Sequence, residues 1–336
     1  MSLFSNLRHP GSAPLPVEGQ LAGFHGATGW VNSEPLTPDG LRDNVVAVQF
    51  WTYTCVNWLR TLPYVRAWNE KYAPHGLTVV GVHTPEFGFE HNVDNIVEAA
   101  KQMRVTWPIA VDSDFGVWRA FGNHFWPALY VADTEGHIRF RHFGEGEYEM
   151  SEMVLQQLLL DAGRGGWDPG VVSVAPQGTE VAADWQNVRS PESYLGYGQA
   201  TGFASADQER FDEPHEYPAP DRLGLNQWSP IGNWTYKEKA SSSNAPNGRI
   251  AFRFHARDVN VVMGPATPGA PVPFRVLLDG EPATDAHGTD TDDQANGTLD
   301  QQRLYQLVRQ TRPIAERTFE IEFLQAGAEV YCLTFG

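Results

Sequence analysis

At 336 residues, 41% hydrophobic and 12% aromatic, the chain is longer than one hydrophobic core usually supports and has apolar side chains enough for two domains. Its 24 basic and 41 acidic residues leave a net charge of −17, and an acidic chain with no basic stripe repels phosphate backbones, which argues against nucleic acid as a partner. Two cysteines in the whole sequence make no disulfide framework and suit a reducing compartment.

The opening MSLFSNLRHPGSAPLP lacks the apolar stretch of a secretory signal, and no run of about twenty apolar residues follows to span a membrane. The chain therefore reads as cytoplasmic. A Pro-rich lead (Pro10, Pro14, Pro16) passes into turn-prone, Gly-rich sequence through Gly40. Asn44 to Phe50 is a short β-branched apolar run, the pattern of a buried strand. It leads to Cys55, and the next residues are Val56, Asn57 and Trp58. A Trp thus stands where a second cysteine would complete a Cys-x-x-Cys pair. Two thiols can store oxidising equivalents as an internal disulfide, whereas a lone thiolate attacks a partner and needs another thiol to release it.

Trp58 to Tyr72 has helical spacing, with Trp58, Leu62, Val65 and Trp68 near one face and a kink expected at Pro63. Leu77 to His83 predicts a second buried strand, Asn92 to Met103 an amphipathic helix, Thr106 to Val111 a strand interrupted by Pro108, and Asp114 to Phe121 a short helix. Ala128 to Asp133 and His137 to Phe143 flank the turn at Glu135-Gly136 as a hairpin, and Met150 to Ala162 closes the unit as a helix. Strands alternating with helices, then a hairpin and a last helix, make an α/β layer structure.

After Gly163 the texture changes. GRGGWDPG is turn-rich, and beyond Val181 helical periodicity gives way to short alternating segments: Trp234 to Glu238, Arg249 to His255, Asn260 to Met263, Phe274 to Leu278, Leu304 to Val308, Thr318 to Phe323 and Val330 to Phe335. Asn247-Gly248 and Asp279-Gly280 carry the type I′ hairpin signal. Many short strands without helices predict an all-β sandwich or jelly roll. Cys332, in the last alternating segment, reads as a small buried apolar side chain.

FWTYTC with its Pro63-bearing helix, GVHTPEF after the second strand, and WPALYVAD entering the hairpin resemble the thioredoxin-like redoxin family, near the thiol-disulfide exchange domains of the TlpA and DipZ type. SPESYLGYGQATGFAS and RLYQLVR, further on, are similar to the carbohydrate-binding-module-like sandwich that follows such a domain in DipZ-type proteins. The organisation implied is a thioredoxin-like domain over residues 1–163, a linker over 164–180 and a sandwich over 181–336. Relatives of the DipZ type carry a membrane electron-transfer domain upstream, which this sequence lacks.

The resemblance places Cys55 at the N-terminus of a helix, where unpaired backbone N–H groups and the helix dipole favour the thiolate. It makes Pro127 the cis-proline that aligns an extended substrate, and Glu86 the acid that manages protons near the thiol. Thr54, Asn57, Trp58 and Trp126 are implied to border the substrate groove, with Trp58 bulky enough to cover the sulfur. Gln49 stands where thioredoxin keeps a buried aspartate, and an amide cannot take a proton at neutral pH.

Three functions follow. The first is a thiol-dependent oxidoreductase with one active-site cysteine, whose partners are protein or small-molecule thiols and disulfides. The alternative is a non-catalytic binding or scaffold protein with a degenerate first domain and a sugar- or protein-binding sandwich. The third is a one-cysteine peroxidase: Thr52 and Cys55 have the Thr-x-x-Cys spacing of peroxiredoxins, although Val48 occupies the position where that pattern has a proline. No cofactor is called for. The eleven histidines are scattered without a zinc motif, and Asp285 to Asp300 departs from the EF-hand pattern at Ala295. Trp228, Trp234 and Tyr236 are candidates to stack on sugar rings or to fill the core of the sandwich.

Overall fold

A computed structural model describes residues 14–336; the reading of the opening segment lies, up to residue 13, outside the described residues. The chain divides into two compact units, with the boundary between Pro176 and Gln177.

In the first unit the described elements are β1 (Gly19–Gln20), β2 (Gly29–Val31), β3 (Val45–Trp51), α1 (Val56–Tyr72), β4 (Leu77–His83), α2 (Val93–Gln102), β5 (Ile109–Val111), α3 (Gly116–Phe121), β6 (Ala128–Ala132), β7 (His137–Phe143) and α4 (Tyr148–Asp161). One mixed sheet takes the order β1-β7-β6-β3-β4-β5-β2. The strands β3, β4 and β5 run parallel, and the others pair antiparallel at the flanks. Every residue of β3 is buried, as continuous apolar strands covered on both faces must be. Val46, Val48 and Phe50 join Val80, Val82, Tyr130 and Val117 of α3 in one core. The alternate residues of β3 point the other way, where Trp51 stacks on Trp58 of α1.

The helix α1 runs unbroken through Pro63, and Asn92 caps α2 by accepting a hydrogen bond from the Asp94 N–H at 3.0 Å. The Gly-rich stretch through residue 40 holds two short strands as well as turns. There Gly26 and Gly116 meet so closely that a Cβ on either would lie within 2.7 Å of the other's backbone, so both positions require glycine. Residues 164–176, expected as part of a linker, lie along this unit: Trp167 packs edge-on against Tyr72, and the Val172 N–H donates to the Glu152 carboxylate at 2.8 Å.

The second unit contains β8 (Ser193–Tyr194), β9 (Pro214–Tyr217), β10 (Trp228–Tyr236), β11 (Ser241–Ser243), β12 (Gly248–His255), β13 (Asp258–Pro265), β14 (Val272–Leu278), β15 (Glu281–Pro282), β16 (Asn296–Leu299), β17 (Arg303–Arg309), β18 (Glu316–Phe323) and β19 (Ala328–Phe335). All its ladders are antiparallel, and they form one curled sheet in the order β15-β14-β18-β12-β10-β11-β19-β13-β17. The strand β10 belongs to both halves. Residues 228–231 pair with β12 and residues 232–235 with β9, and the change of partner falls at Gly232, whose φ of 89° suits a residue without a Cβ. Side chains from both halves close on a single aromatic core.

One expectation for this unit is corrected, and an alternative left open is decided. Asp279-Gly280 makes the type I′ hairpin between β14 and β15, with positive φ at both residues, but Asn247-Gly248 does not. Only Asn247 has positive φ, and the strands on either side do not pair with each other: β11 pairs with β10 and β19, and β12 with β10 and β18. Trp228, Trp234 and Tyr236 are 0%, 0% and 2% exposed, so they fill the core and present no face to a sugar. Cys332 is buried. No helix among the described residues is long and apolar enough to cross a membrane.

Candidate active site

The site lies where the parallel strands end. Trp51 and His83, the last residues of β3 and β4, are register partners, and the chain leaving β3 turns tightly before entering α1. Cys55 N–H donates to Thr52 O at 3.2 Å across that turn, and Cys55 O accepts from Leu59 N–H at 3.0 Å as the helix begins. Cys55 is therefore the N-cap residue of α1, in extended conformation with φ −74°. Its side chain meets the start of the helix dipole, which favours an anion there. The residue is partly exposed, and neither Cys55 nor Cys332 is in a disulfide.

Trp58 does not border a groove, and this corrects the sequence reading. Its side chain is 0% exposed. The indole stacks on Trp51 with ring centroids 4.2 Å apart and donates its Nε1–H to Gln49 Oε1 at 3.0 Å. Gln49 in turn donates to Thr61 Oγ1 at 2.9 Å. The residue three places after Cys55 and the amide on β3 thus form one sealed, hydrogen-bonded pair, held by the preference of a large aromatic for the core and of its N–H for a buried acceptor. Thr54 is also turned inward, 1% exposed. Asn57 and Trp126 remain partly exposed, with Asn57 accepting from Arg60 at 3.4 Å.

The Trp126–Pro127 peptide bond is cis, and Pro127 is buried at the entry to β6. Trp126 is held in place by its indole N–H, which donates to Thr84 O at 3.1 Å. Thr84 itself donates to the Asp112 carboxylate at 3.0 Å. Beside Trp126, Phe125 is 51% exposed and packs on Phe143, 46% exposed, so an apolar surface adjoins the loop.

Glu86 lies in the loop after β4, as expected, but the carboxyl that meets the turn before α1 is that of Glu90. Glu90 is 0% exposed. Its Oε1 accepts from Thr54 Oγ1 at 2.6 Å, and its Oε2 accepts from the backbone N–H groups of Glu86 at 2.6 Å and Phe87 at 2.9 Å. The Thr52 hydroxyl also favours the charged form of Glu90. Burial pushes this carboxyl above its ordinary value, against the pull of those groups. Thr52 Oγ1 also lies 3.5 Å from His83 Nε2. His83 Nδ1 is buried with no hydrogen-bond partner. Desolvation brings His83 down to about 3, so the ring is neutral near neutral pH.

Sequence reasoning missed Glu90 because an acid in a short loop usually faces solvent. The available signal was Thr52 and Thr54, two hydroxyls at the end of an otherwise apolar strand, which need an acceptor when buried.

Comparison with known proteins places both units. Residues 190–336 match the family described as Thioredoxin like C-terminal domain. Protein DipZ of Mycobacterium bovis and of Mycobacterium tuberculosis are each 33% identical over 279 residues, 82% of this chain. The chain spans 38% of the length of those relatives. Thiol-disulfide oxidoreductase YkuV of Bacillus subtilis is 30% identical over 136 residues, 40% of this chain and 91% of YkuV. A solution structure of a thioredoxin-like protein in its oxidised form is 29% identical and aligns over 44% of this chain and 99% of its own, with a TM-score of 0.40.

Proposed function

The chain belongs to the thioredoxin-like thiol-disulfide oxidoreductase family, and from that premise we propose that it is a one-cysteine member in which Cys55 performs thiol-disulfide exchange. The Cys55 thiolate attacks one sulfur of a disulfide, the S–S bond breaks, and the departing thiolate takes a proton. The product is a mixed disulfide on Cys55. A second, external thiolate of the glutathione type then attacks the substrate sulfur of that adduct, forms a new disulfide and returns Cys55 as thiolate. One external thiol is consumed and one substrate thiol released, one disulfide is exchanged for another, and the protein needs no cofactor. Pro127 aligns the substrate backbone, Asn57 and Trp126 flank it, and Glu86 handles protons at the mouth of the site.

The observation that carries this reading is the pairing of Trp58 with Gln49. The place of a resolving thiol is filled by a core side chain, so release of an adduct falls to an outside thiol. Partial exposure of Cys55 at the helix start supports its reactivity.

The test is the rate at which a thiol-specific alkylating reagent modifies Cys55 in the native protein near neutral pH. A rate above that of free cysteine, abolished in Cys55→Ser, is expected. A thiol that reacts no faster, or only after unfolding, would return the first unit to the role of a binding scaffold. Peroxide consumption that depends on Cys55 would instead favour the peroxidase reading.

A further inference from the structure

One carboxyl ties together the segments around the nucleophile. The turn from Thr52 to Cys55 offers the Thr54 hydroxyl, which donates to Glu90 at 2.6 Å. The other oxygen of Glu90 holds the backbone of Glu86 and Phe87, in the loop that begins at Thr84. That loop's Thr84 carbonyl accepts the indole N–H of Trp126, the residue before Pro127. The nucleophile turn and the loop after β4 are therefore linked through Glu90, and the latter is linked to the loop of the cis-proline through Thr84.

We infer that Glu90 is a positioning residue for Cys55: by holding the Thr54 hydroxyl it fixes the direction from which the neighbouring sulfur approaches a disulfide. The inference rests on Cys55 being the nucleophile proposed above. Attack on a disulfide runs along the S–S axis, so the reaction is sensitive to where the thiolate points as well as to how much of it is ionised. Thr54 is bonded to Cys55, and a hydrogen bond of 2.6 Å from its side chain to a buried carboxyl leaves that residue little freedom. Glu90 has no need to touch substrate; it acts through Thr54.

The test uses the full chain and Ellman's reagent, a small aromatic disulfide, with the modified cysteine identified by peptide mass. Rates are taken at a pH well above the thiol range, where ionisation no longer differs between variants. Thr54→Val and Glu90→Gln are each expected to slow Cys55 by about tenfold, the scale of modest misplacement of a reacting group. Thr54→Ser, which keeps the hydroxyl, is expected to recover most of the rate lost in Thr54→Val. The double variant Thr54→Val/Glu90→Gln is expected to react no more slowly than the slower single one, because both disturb the one Thr54–Glu90 bond: valine deletes its donor, and glutamine has a single acceptor oxygen for Thr54 on one side and the Glu86 and Phe87 N–H groups on the other.

Wild-type rates in both single variants, or losses that multiply in the double variant, would overturn the inference. Should Glu90→Gln fail to fold, the comparison of Thr54→Val with Thr54→Ser decides it alone: equal rates sink it, and serine rescue upholds it. An inert Cys55 in the wild-type protein would remove the one-cysteine reading and this inference with it, whereas a reactive wild type with indifferent variants removes only the inference.

Discussion

His83 and Glu90 lie within one Thr52 side chain of each other, and burial acts on them in opposite senses. The folded protein holds His83 at about 3, below its ordinary 6.5. The stability this contributes is complete above the unfolded value and is lost as pH falls from 6.5 toward 3. Glu90 is raised from its ordinary 4.5, so its contribution is complete below that value and is lost as pH rises through the folded one. In wild type the two partly cancel across mildly acid pH. Replacing His83 by Gln should leave unfolding free energy less dependent on pH through His83, by about one proton or about 1.4 kcal/mol per pH unit. Urea unfolding of both proteins at several values between those two limits measures it, and identical slopes would refute it. Cys55 and Trp58 were legible in the sequence as residue types, because spacing alone shows a cysteine with no partner three places on. Their environments were not: whether an indole covers a sulfur or fills a core depends on Trp51 and Gln49, which β3 contributes.

At the scale of elements, hydrophobic pattern located the helices and long strands of the first unit because each carries enough residues to show its period. Strands of two or three residues, β1 and β2, carry no period, and their register depends on distant partners in β7 and β5. Glu152 illustrates how elements are then joined. From α4 its carboxylate accepts the Trp68 Nε1–H at 3.1 Å and the Tyr72 hydroxyl at 2.5 Å from α1, and the Val172 N–H at 2.8 Å from the segment after α4. Glu152→Ala would leave these three donors, and the Lys71 ammonium at 3.4 Å, without that acceptor, with an expected cost of about 3 kcal/mol. Chemical denaturation should show it as a lower midpoint with an unchanged slope. A loss below about 0.5 kcal/mol, the size of an ordinary surface change, would contradict it.

At the scale of the whole molecule, each unit has its own apolar core, the condition for independent folding. A fragment of residues 177–336 should therefore unfold cooperatively, with the near-ultraviolet signal of buried Trp228 and Trp234, and a broad transition without that signal would count against it. The sequence by itself determined the order α/β then all-β, the cysteine at a helix start and the missing second thiol, since local periodicity and residue identity encode these directly. Only the tertiary structure decided that β10 serves both halves of the curled sheet, that Trp58 and Gln49 form a sealed pair, and that Glu90 binds the turn before α1. Those outcomes join residues from different elements, and a buried donor finds its acceptor only when packing has brought the two together.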